Sequence, residues 1–287
     1  MLGTPDPIAF KIFGFEVRWY ALLICCAIIL GLFMAIRRAK KVGIVEDWIL
    51  DIFIVAVPLA VIGARLYYVA FNLSYYMRHP GEIIAIWNGG LAIHGAVLLG
   101  ALGVFLVCRH HKINMLKMLD VLIPCLILGQ AIGRWGNYFN MEAYGTETTL
   151  PWAITVYEAG KGYIQVHPTF LYESLWDFAV FLLLIFVIDR RKTHYGETTC
   201  FYFILYSIGR FFIEGLRTDS LYFFGLRTAQ IVSILCVVGG LLGLYLIKKK
   251  TRRIAVLEAE QISAAISKTD ETKNEIISDE EKDQEEK

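Results

Sequence analysis

Blocks of apolar residues, each close to the length that crosses a bilayer, alternate with short polar connections along most of this chain. Seven such blocks predict helices, at residues 19–36, 49–71, 91–108, 116–133, 170–188, 198–215 and 228–247. A hydrocarbon core about 30 Å thick requires roughly 20 apolar residues in helical form. The pattern therefore predicts an all-α, polytopic integral membrane protein with seven transmembrane helices.

Three other segments have a different character. Residues 72–90 are too polar and too broken to span, and their aromatic, half-apolar composition predicts a segment lying at the membrane interface. Residues 134–169 form the longest connection, and their mixture of Thr, Pro, Trp and Gly predicts a small ordered head. Residues 251–287 are polar and mostly acidic, which predicts a solvated, disordered tail beside a membrane domain of residues 1–250.

The basic residues predict the orientation of the helices. Clusters at 37–41 (RRAKK), 109–112 (RHHK), 189–192 (DRRK) and 248–253 (KKKTRR) follow the first, third, fifth and seventh blocks. Lys and Arg are enriched in the connections on the cytoplasmic side of a membrane. We therefore expect the N-terminus outside, the C-terminus in the cytoplasm, and residues 134–169 on the outer side.

The composition agrees with a membrane protein and excludes several other classes. Hydrophobic residues make up 56% of the 287 positions and charged residues 19%, and the mean hydropathy is +0.53. The net charge of +1 and the lack of a basic face with interleaved aromatics argue against nucleic acid binding. The six cysteines lie in or beside apolar blocks without disulfide or metal-ligand spacing. We expect no metal and no cofactor.

The fourth block ends in an unusual string, GRWGNYFNMEAYG, from Gly133 to Gly145. Polar groups at membrane depth are costly unless they are paired or face a wet cavity. The string holds four polar residues that together can grip an anionic, hydroxyl-bearing group: Arg134, Asn137, Asn140 and Glu142. The alternative interpretation is a snorkelling arginine followed by an ordinary Gly/Asn turn.

Five other blocks place polar residues in the same outer third of the predicted bundle. These residues are Tyr20, Arg65, His94, Glu173, Tyr206, Arg210 and Glu214. Since each is costly in a membrane, we expect a shared cavity that opens to the outer leaflet. Some of these residues also have a structural interpretation. Arg210 and Glu214, at i and i+4, can neutralise each other, and His94 can be a hydrogen-bonded structural histidine. We interpret Arg65 as structural, pairing with Glu173 or Glu142.

The string resembles the signature of the prolipoprotein diacylglyceryl transferases, with Tyr138 where phenylalanine is commoner. Supporting motifs follow in order over roughly Phe10 to Lys250: RWYAL, GARLYYV, the His-Gly of the third block, HPTFLYE and YSIGRFFIEGLRTD. One departure is Ala96, where a second glycine is common, and it concerns local packing. The acidic tail lies outside the resemblance.

The resemblance implies an enzyme of the bacterial cell membrane that carries out the first step of lipoprotein maturation. Such an enzyme transfers the diacylglyceryl group of phosphatidylglycerol to the thiol of the lipobox cysteine, just after a prolipoprotein signal peptide, and releases glycerol phosphate. By resemblance the important positions are Tyr20, His94, Arg134, Asn137, Glu142, Tyr206 and Arg210.

The same residues suit this reaction on physical grounds. His94 is the natural base for a thiol, although Glu142, a tyrosine or the field of the arginines remain alternatives. Arg134 and Arg210 suit a phosphate whose charge grows as it leaves, with Glu142 and Glu214 neutralising them before lipid arrives. We assign Asn140 to lipid binding, Tyr206 to catalysis, and Gly145, with Glu173, to a supporting role. The rival hypotheses are a transporter of an organic anion and an intramembrane protease; the chain shows neither an internal repeat nor a Ser/His or paired-Asp arrangement.

Overall fold

The computed structural model describes residues 5–12, 14–220, 222–223 and 225–250, so the predicted acidic tail lies outside the described residues. The chain divides into two compact units, Met1–Gly240 and Leu241–Lys287. Of the second unit, residues 241–250 are described, and they are helical. The account below concerns the first unit.

Most of the described chain is helical. The long helices are α1 (Trp19–Lys41), α2 (Glu46–Phe71), α3 (Ile93–His110), α4 (Met115–Asn140), α5 (Thr169–Arg191), α6 (Glu197–Glu214) and α7 (Thr228–Lys250). A short helix, Leu73–Tyr76, and two 3₁₀ turns, Pro80–Glu82 and Ile86–Asn88, fill the connection between α2 and α3.

Six of these helices are long and apolar enough to cross a membrane, and α6 is the one that does not meet this criterion. Helix α6 has 18 residues, but three of them are charged: Glu197, Arg210 and Glu214. The prediction of a helical, polytopic membrane protein is confirmed at this level. The seventh span stays a prediction, because a helix with these charges crosses a bilayer only if its partners shield them.

Three two-stranded antiparallel sheets were absent from the all-α prediction. They pair β1 (Ile8–Ile12) with β2 (Phe15–Arg18), β3 (Ile154–Glu158) with β4 (Gly162–Val166), and β5 (Tyr222–Phe223) with β6 (Leu226–Arg227). The first lies before α1, and the other two lie in the connections before α5 and before α7. Strands of two to five residues are too short to show a clear hydrophobic periodicity, so the sequence pattern did not predict them.

Helices α1 and α4 continue farthest past the predicted ends of their apolar blocks, by five and seven residues. Helix α1 runs through the basic cluster to Lys41, since Lys and Arg are good helix formers and their charges favour a helix C-terminus. Helix α4 continues seven residues beyond Gly133, to Asn140. It ends where Met141 adopts a left-handed conformation (φ 51°) and its backbone N–H bonds back to the last turn.

The largest cluster of buried apolar side chains lies where α1 to α4 meet near the predicted basic clusters. It includes Ala35, Ala39, Ile49, Ile52, Val107, Met118 and Val121. We call this region the basic end, and the opposite end, at which α4 and α6 finish, the site end. A second buried cluster packs the β3–β4 hairpin against the start of α5 through Ile154, Val156, Val166 and Phe170.

Helices α2 and α3 approach each other closely at a pair of glycines. A Cβ atom built on Gly63 would lie 2.7 Å from the Cβ of Leu99, and one on Gly95 would collide with the carbonyl of Gly63. Small residues allow this approach in membranes, where helix association depends on close van der Waals contact. The contact places His94, which precedes Gly95, beside Tyr67 of α2, with ring centroids 5.7 Å apart.

Candidate active site

The signature string divides between the last turns of α4 and the turn that follows. Glu142 folds back over the helix end: its backbone N–H donates to the carbonyl of Asn137 at 3.0 Å. Its Oε1 accepts from the side-chain amides of Asn137 (2.9 Å) and Asn140 (3.3 Å). Three residues expected to act together are therefore joined, and Glu142 itself is exposed.

The glycines of the string serve close packing more than chain reversal. The left-handed positions of the turn are Met141 and Ala143. Gly145 is buried, its N–H donates to the carbonyl of His167 at 3.0 Å, and it forms a β-bridge with Arg217. An added Cβ would lie 2.7 Å from the Cβ of His167. Gly145 thus ties the end of the string to the start of α5 and to the chain after α6.

Glu173 of α5 is the centre of the polar cluster. It is 4% exposed, and its two carboxylate oxygens form ion pairs with different helices: Oε2 with Nε of Arg134 on α4, and Oε1 with Nη1 of Arg210 on α6. Nη1 of Arg217 lies 3.5 Å from the same Oε1. One buried carboxylate therefore gathers three arginines, which would otherwise repel one another strongly in a low-dielectric site.

Two further carboxylates complete this arginine cluster, which we define as Arg134, Arg210 and Arg217 with the acids that bind them. Oε2 of Glu214 lies 2.6 Å from Nη2 of Arg210 and 4.0 Å from Nε of Arg217. Asp219 accepts two hydrogen bonds from Arg217, at 3.0 and 2.8 Å. Partial burial alone would raise the pKa of Asp219, but these hydrogen bonds and the charge of Arg217 outweigh it and lower that pKa. Three arginines thus face three carboxylates.

This geometry bears on two predictions made from the sequence. The i, i+4 pair of Arg210 and Glu214 is present, but Arg210 also reaches Glu173, so the pair does not close on itself. The expectation that Glu142 and Glu214 keep Arg134 and Arg210 neutral is wrong for Glu142. Glu142 bonds to its own turn, and Glu173 is the shared partner instead.

Tyr206 and Asp177 lie beside the arginine cluster. The ring of Tyr206 stacks on Tyr202, 5.5 Å away, and interacts electrostatically with Arg134 and Arg210. Asp177, one turn after Glu173, is 2% exposed, and its Oδ2 has no hydrogen-bond partner within the described residues. Sequence reasoning missed Asp177 and gave Arg217 no role. The available signal was the i+4 spacing of Asp177 from Glu173 in an apolar block.

Tyr20, at the start of α1, packs against α4 where Gly136 leaves room. A Cβ on Gly136 would lie 2.8 Å from Cε2 of Tyr20 and closer still to Cδ2. The phenol interacts electrostatically with Glu142 and Arg134. Gly136 therefore positions Tyr20 over the polar end of α4, a packing role that the sequence motif alone did not show.

We expect Gly136→Ala to displace Tyr20 and to destabilise the protein by about 1–3 kcal/mol, the usual cost of overpacking. Gly129→Ala on the same helix is the matched control, because its new Cβ would meet Ala27 at an ordinary 3.9 Å. Thermal unfolding in detergent, followed by circular dichroism, measures the difference. Equal midpoints for the two variants would contradict this account of Tyr20.

Arg65 has partners other than the predicted ones. Its guanidinium donates to the backbone carbonyls of Glu82 (2.6 Å), Ile83 (2.8 Å), Gly89 (2.7 Å) and Gly90 (2.9 Å). The predicted pairing with Glu173 or Glu142 is therefore wrong. Arg65 donates to four carbonyls of the segment between α2 and α3, and it adds these bonds to the short helix and 3₁₀ turns of that segment.

The structure brings some of the predicted site residues into direct contact. Arg134, Glu173, Arg210 and Glu214 form one network, and Asn137, Asn140 and Glu142 another at the end of the same α4 helix. His94 lies on α3, exposed, and the contact described for it is the stack on Tyr67. Among the described residues, no group of three His, Cys, Asp or Glu side chains has an arrangement suited to a metal ion.

Comparison with known proteins gives a consistent result over nearly the whole described chain. The family model for prolipoprotein diacylglyceryl transferase matches residues 7–246. A phosphatidylglycerol–prolipoprotein diacylglyceryl transferase of Finegoldia magna is 52% identical, over 83% of this chain and 94% of that protein. Proteins with the same name from Clostridioides difficile (48% identical, 87% and 99% covered) and Synechocystis sp. (45%, 86% and 92%) are also similar.

Proposed function

This chain belongs to the prolipoprotein diacylglyceryl transferase family, and from that premise we propose how its residues carry out the transfer of a diacylglyceryl group from phosphatidylglycerol to a prolipoprotein. The chain is a transferase and a multi-pass membrane protein. The alternative of an organic-anion transporter has no support from its relatives. We assign the chain to the bacterial plasma membrane.

The acceptor is the thiol of the lipobox cysteine, and the product is a thioether. The sulfur attacks the glyceryl carbon that carries the phosphate, a C–S bond forms, and the C–O bond to the phosphate breaks. The electron pair of that bond stays on the phosphate oxygen, so glycerol phosphate leaves with one more negative charge than the diester carried. The thiol proton passes to a base, for which we propose His94.

The arginine cluster is the observation that supports a phosphate site at the site end. Arg134 and Arg210 share Glu173, and neither side chain is fully buried: they are 22% and 18% exposed. A phosphodiester with one negative charge can replace part of the carboxylate bonding. As the leaving group approaches a dianion, its attraction to both arginines grows, which stabilises the transition state more than the ground state.

The turn of the signature string supports the placement of the lipid headgroup. Asn137 and Asn140 hold Glu142 at the end of α4, close enough to Tyr20 for electrostatic interaction. Amides, a carboxylate and a phenol together provide donors and acceptors for the glycerol hydroxyls of phosphatidylglycerol. We propose that these four side chains bind the glycerol hydroxyls of the headgroup while the arginines bind the phosphate.

The transfer reaction itself tests the proposed function. Purified protein is incubated with phosphatidylglycerol labelled in the glycerol carbons of its diacylglyceryl group and with a peptide bearing a lipobox cysteine. We expect the label in the peptide, bound by an alkali-resistant thioether, and one glycerol phosphate released per transfer. A peptide with Ser in place of Cys is the control. Lipid bound or moved without transfer to the Cys peptide would contradict the proposal.

We propose seven spans with the N-terminus outside, because the basic clusters end α1, α3, α5 and α7. The expected result is that a cysteine at Thr148 reacts with a membrane-impermeant maleimide in intact cells and one at Ser267 reacts only after lysis. The measurement uses a background without native cysteines. Labelling of position 267 from outside would overturn this topology. An even number of spans, with the N-terminus outside, predicts that result because it places the C-terminus outside as well.

A further inference from the structure

At the basic end, α6 begins without a cap of its own. Its N-cap position is Gly196 (φ 99°), which has no side chain to accept a hydrogen bond from the first turn. Asp120, from the second turn of α4, supplies two acceptors there: Oδ2 accepts from Gly196 N–H at 2.9 Å, and Oδ1 from Thr199 N–H at 3.0 Å. A capping box normally provides such bonds from within its own helix.

The Asp120 carboxylate is held rigidly. It is 1% exposed, the hydroxyl of Thr199 donates to Oδ1 at 2.8 Å, and Lys192 lies 3.2 Å from Oδ2. Lys192 also pairs with Asp189 at 2.9 Å, and Arg38 pairs with Asp189 at 2.6 Å. Two cations and two anions thus lie together in this network, and both oxygens of Asp120 accept hydrogen bonds.

Helices α4 and α6 start together at the basic end and run in parallel to the site end. Asp120 and Thr199 join them at the start, and the Tyr202 hydroxyl donates to Gln130 at 3.1 Å farther along. At the site end, Arg134 and Arg210 meet on Glu173. Arg134 lies about 20 Å beyond Asp120 along α4, at 1.5 Å per residue.

We infer that Asp120 is a positioning residue, which fixes the axial register of α6 against α4 and thereby the separation of Arg134 and Arg210. Apolar helix contacts in a membrane have no hydrophobic drive and permit sliding, whereas hydrogen bonds to a buried carboxylate do not. Asp120 touches no substrate and acts through Arg210. The inference rests on the proposed function, since register matters only if both arginines hold one phosphate.

The test compares Asp120→Asn with Asp189→Asn in the purified full chain. Both variants remove one negative charge from the same network, but only the first turns amide hydrogens toward the N–H groups of α6. Transfer from phosphatidylglycerol to the lipobox peptide should fall about 10- to 100-fold in kcat for Asp120→Asn, because small misplacements of catalytic groups have such effects. Its KM for phosphatidylglycerol should change less than threefold, and Asp189→Asn should stay within threefold of the parent.

A cycle with Arg210→Lys separates positioning from general damage. If Asp120 acts through Arg210, the double variant should lose much less than the product of the two single losses. A smaller folded fraction would instead multiply the losses, and that result would overturn the inference. Thr199→Val is used if Asp120→Asn does not fold. It removes only the hydrogen bond from the Thr199 hydroxyl to Asp120, and it should lower kcat two- to fivefold. An inactive parent would refute the proposed function, whereas an active parent with Asp120→Asn or Thr199→Val unchanged would refute only this inference.

Discussion

Replacing Arg134 or Arg210 by alanine should lower the rate of diacylglyceryl transfer by two to three orders of magnitude while the protein remains in the membrane. The loss of one donor to charge that develops in a transition state costs about 3–4 kcal/mol. Single-turnover transfer to a lipobox peptide measures it. Arg37→Ala is the control for loss of an arginine, since Arg37 stacks over the ring of Phe33 at the basic end, and it should transfer at the parental rate.

The double alanine variant should be scarcely slower than either single one, because residues that act as a unit are strongly non-additive. Arg→Lys at either position should also be slow. Lysine keeps the charge, but it cannot present the planar fork with which a guanidinium holds two oxygens at once. Modest losses that add strictly would mean that the two arginines only support the fold and that the phosphate binds elsewhere.

The fold of these variants requires its own check because Glu173 is 4% exposed. Removing Arg134 or Arg210 leaves this carboxylate with fewer partners, and breaking a buried ion pair from one side typically costs 3–5 kcal/mol. Arg217, 3.5 Å away, limits the damage by remaining as a counter-ion. Thermal midpoints should therefore be measured beside the rates, and rates compared only where the variants are folded.

Replacing His94 by glutamine should slow transfer by about 10²–10⁴-fold, the contribution of a general base, without abolishing the binding of phosphatidylglycerol. Glutamine has a similar reach, but it cannot accept a proton at neutral pH. The stack on Tyr67 is open to a flat amide, so α3 should keep its place. Binding of labelled lipid and single-turnover transfer, measured on the same preparation, separate the two effects.

His110→Gln is the matched control for His94→Gln, since it makes the same change at the other end of α3. It should transfer within twofold of the parent. Parental rates for His94→Gln would reassign the base to Glu142, a tyrosine or the field of the arginines. A shared loss of lipid binding and rate would instead make His94 a headgroup ligand.

The sequence by itself determined the class of the protein and its family. It predicted seven membrane-spanning helices, and six helices in the described chain are long and apolar enough to cross a bilayer. Long apolar blocks predict helices because a helix satisfies every backbone hydrogen bond within its own segment, where the bilayer offers no water. The same blocks made the polar residues conspicuous, so Arg134, Arg210 and Glu214 were found before their geometry was known. The i, i+4 contact of Arg210 and Glu214 was predictable because it lies within one helix.

Only the tertiary structure decided which partners meet across helices. Glu173 binds Arg134 and Arg210, Arg65 binds four carbonyls between α2 and α3, and Asp120 caps α6. Periodicity shows which face of a helix is polar, but not how far a neighbouring helix is shifted or rotated. That choice depends on packing such as Gly63 against Gly95. One residue advances a helix by only about 1.5 Å along its axis, so a small axial shift changes which side chains of neighbouring helices meet.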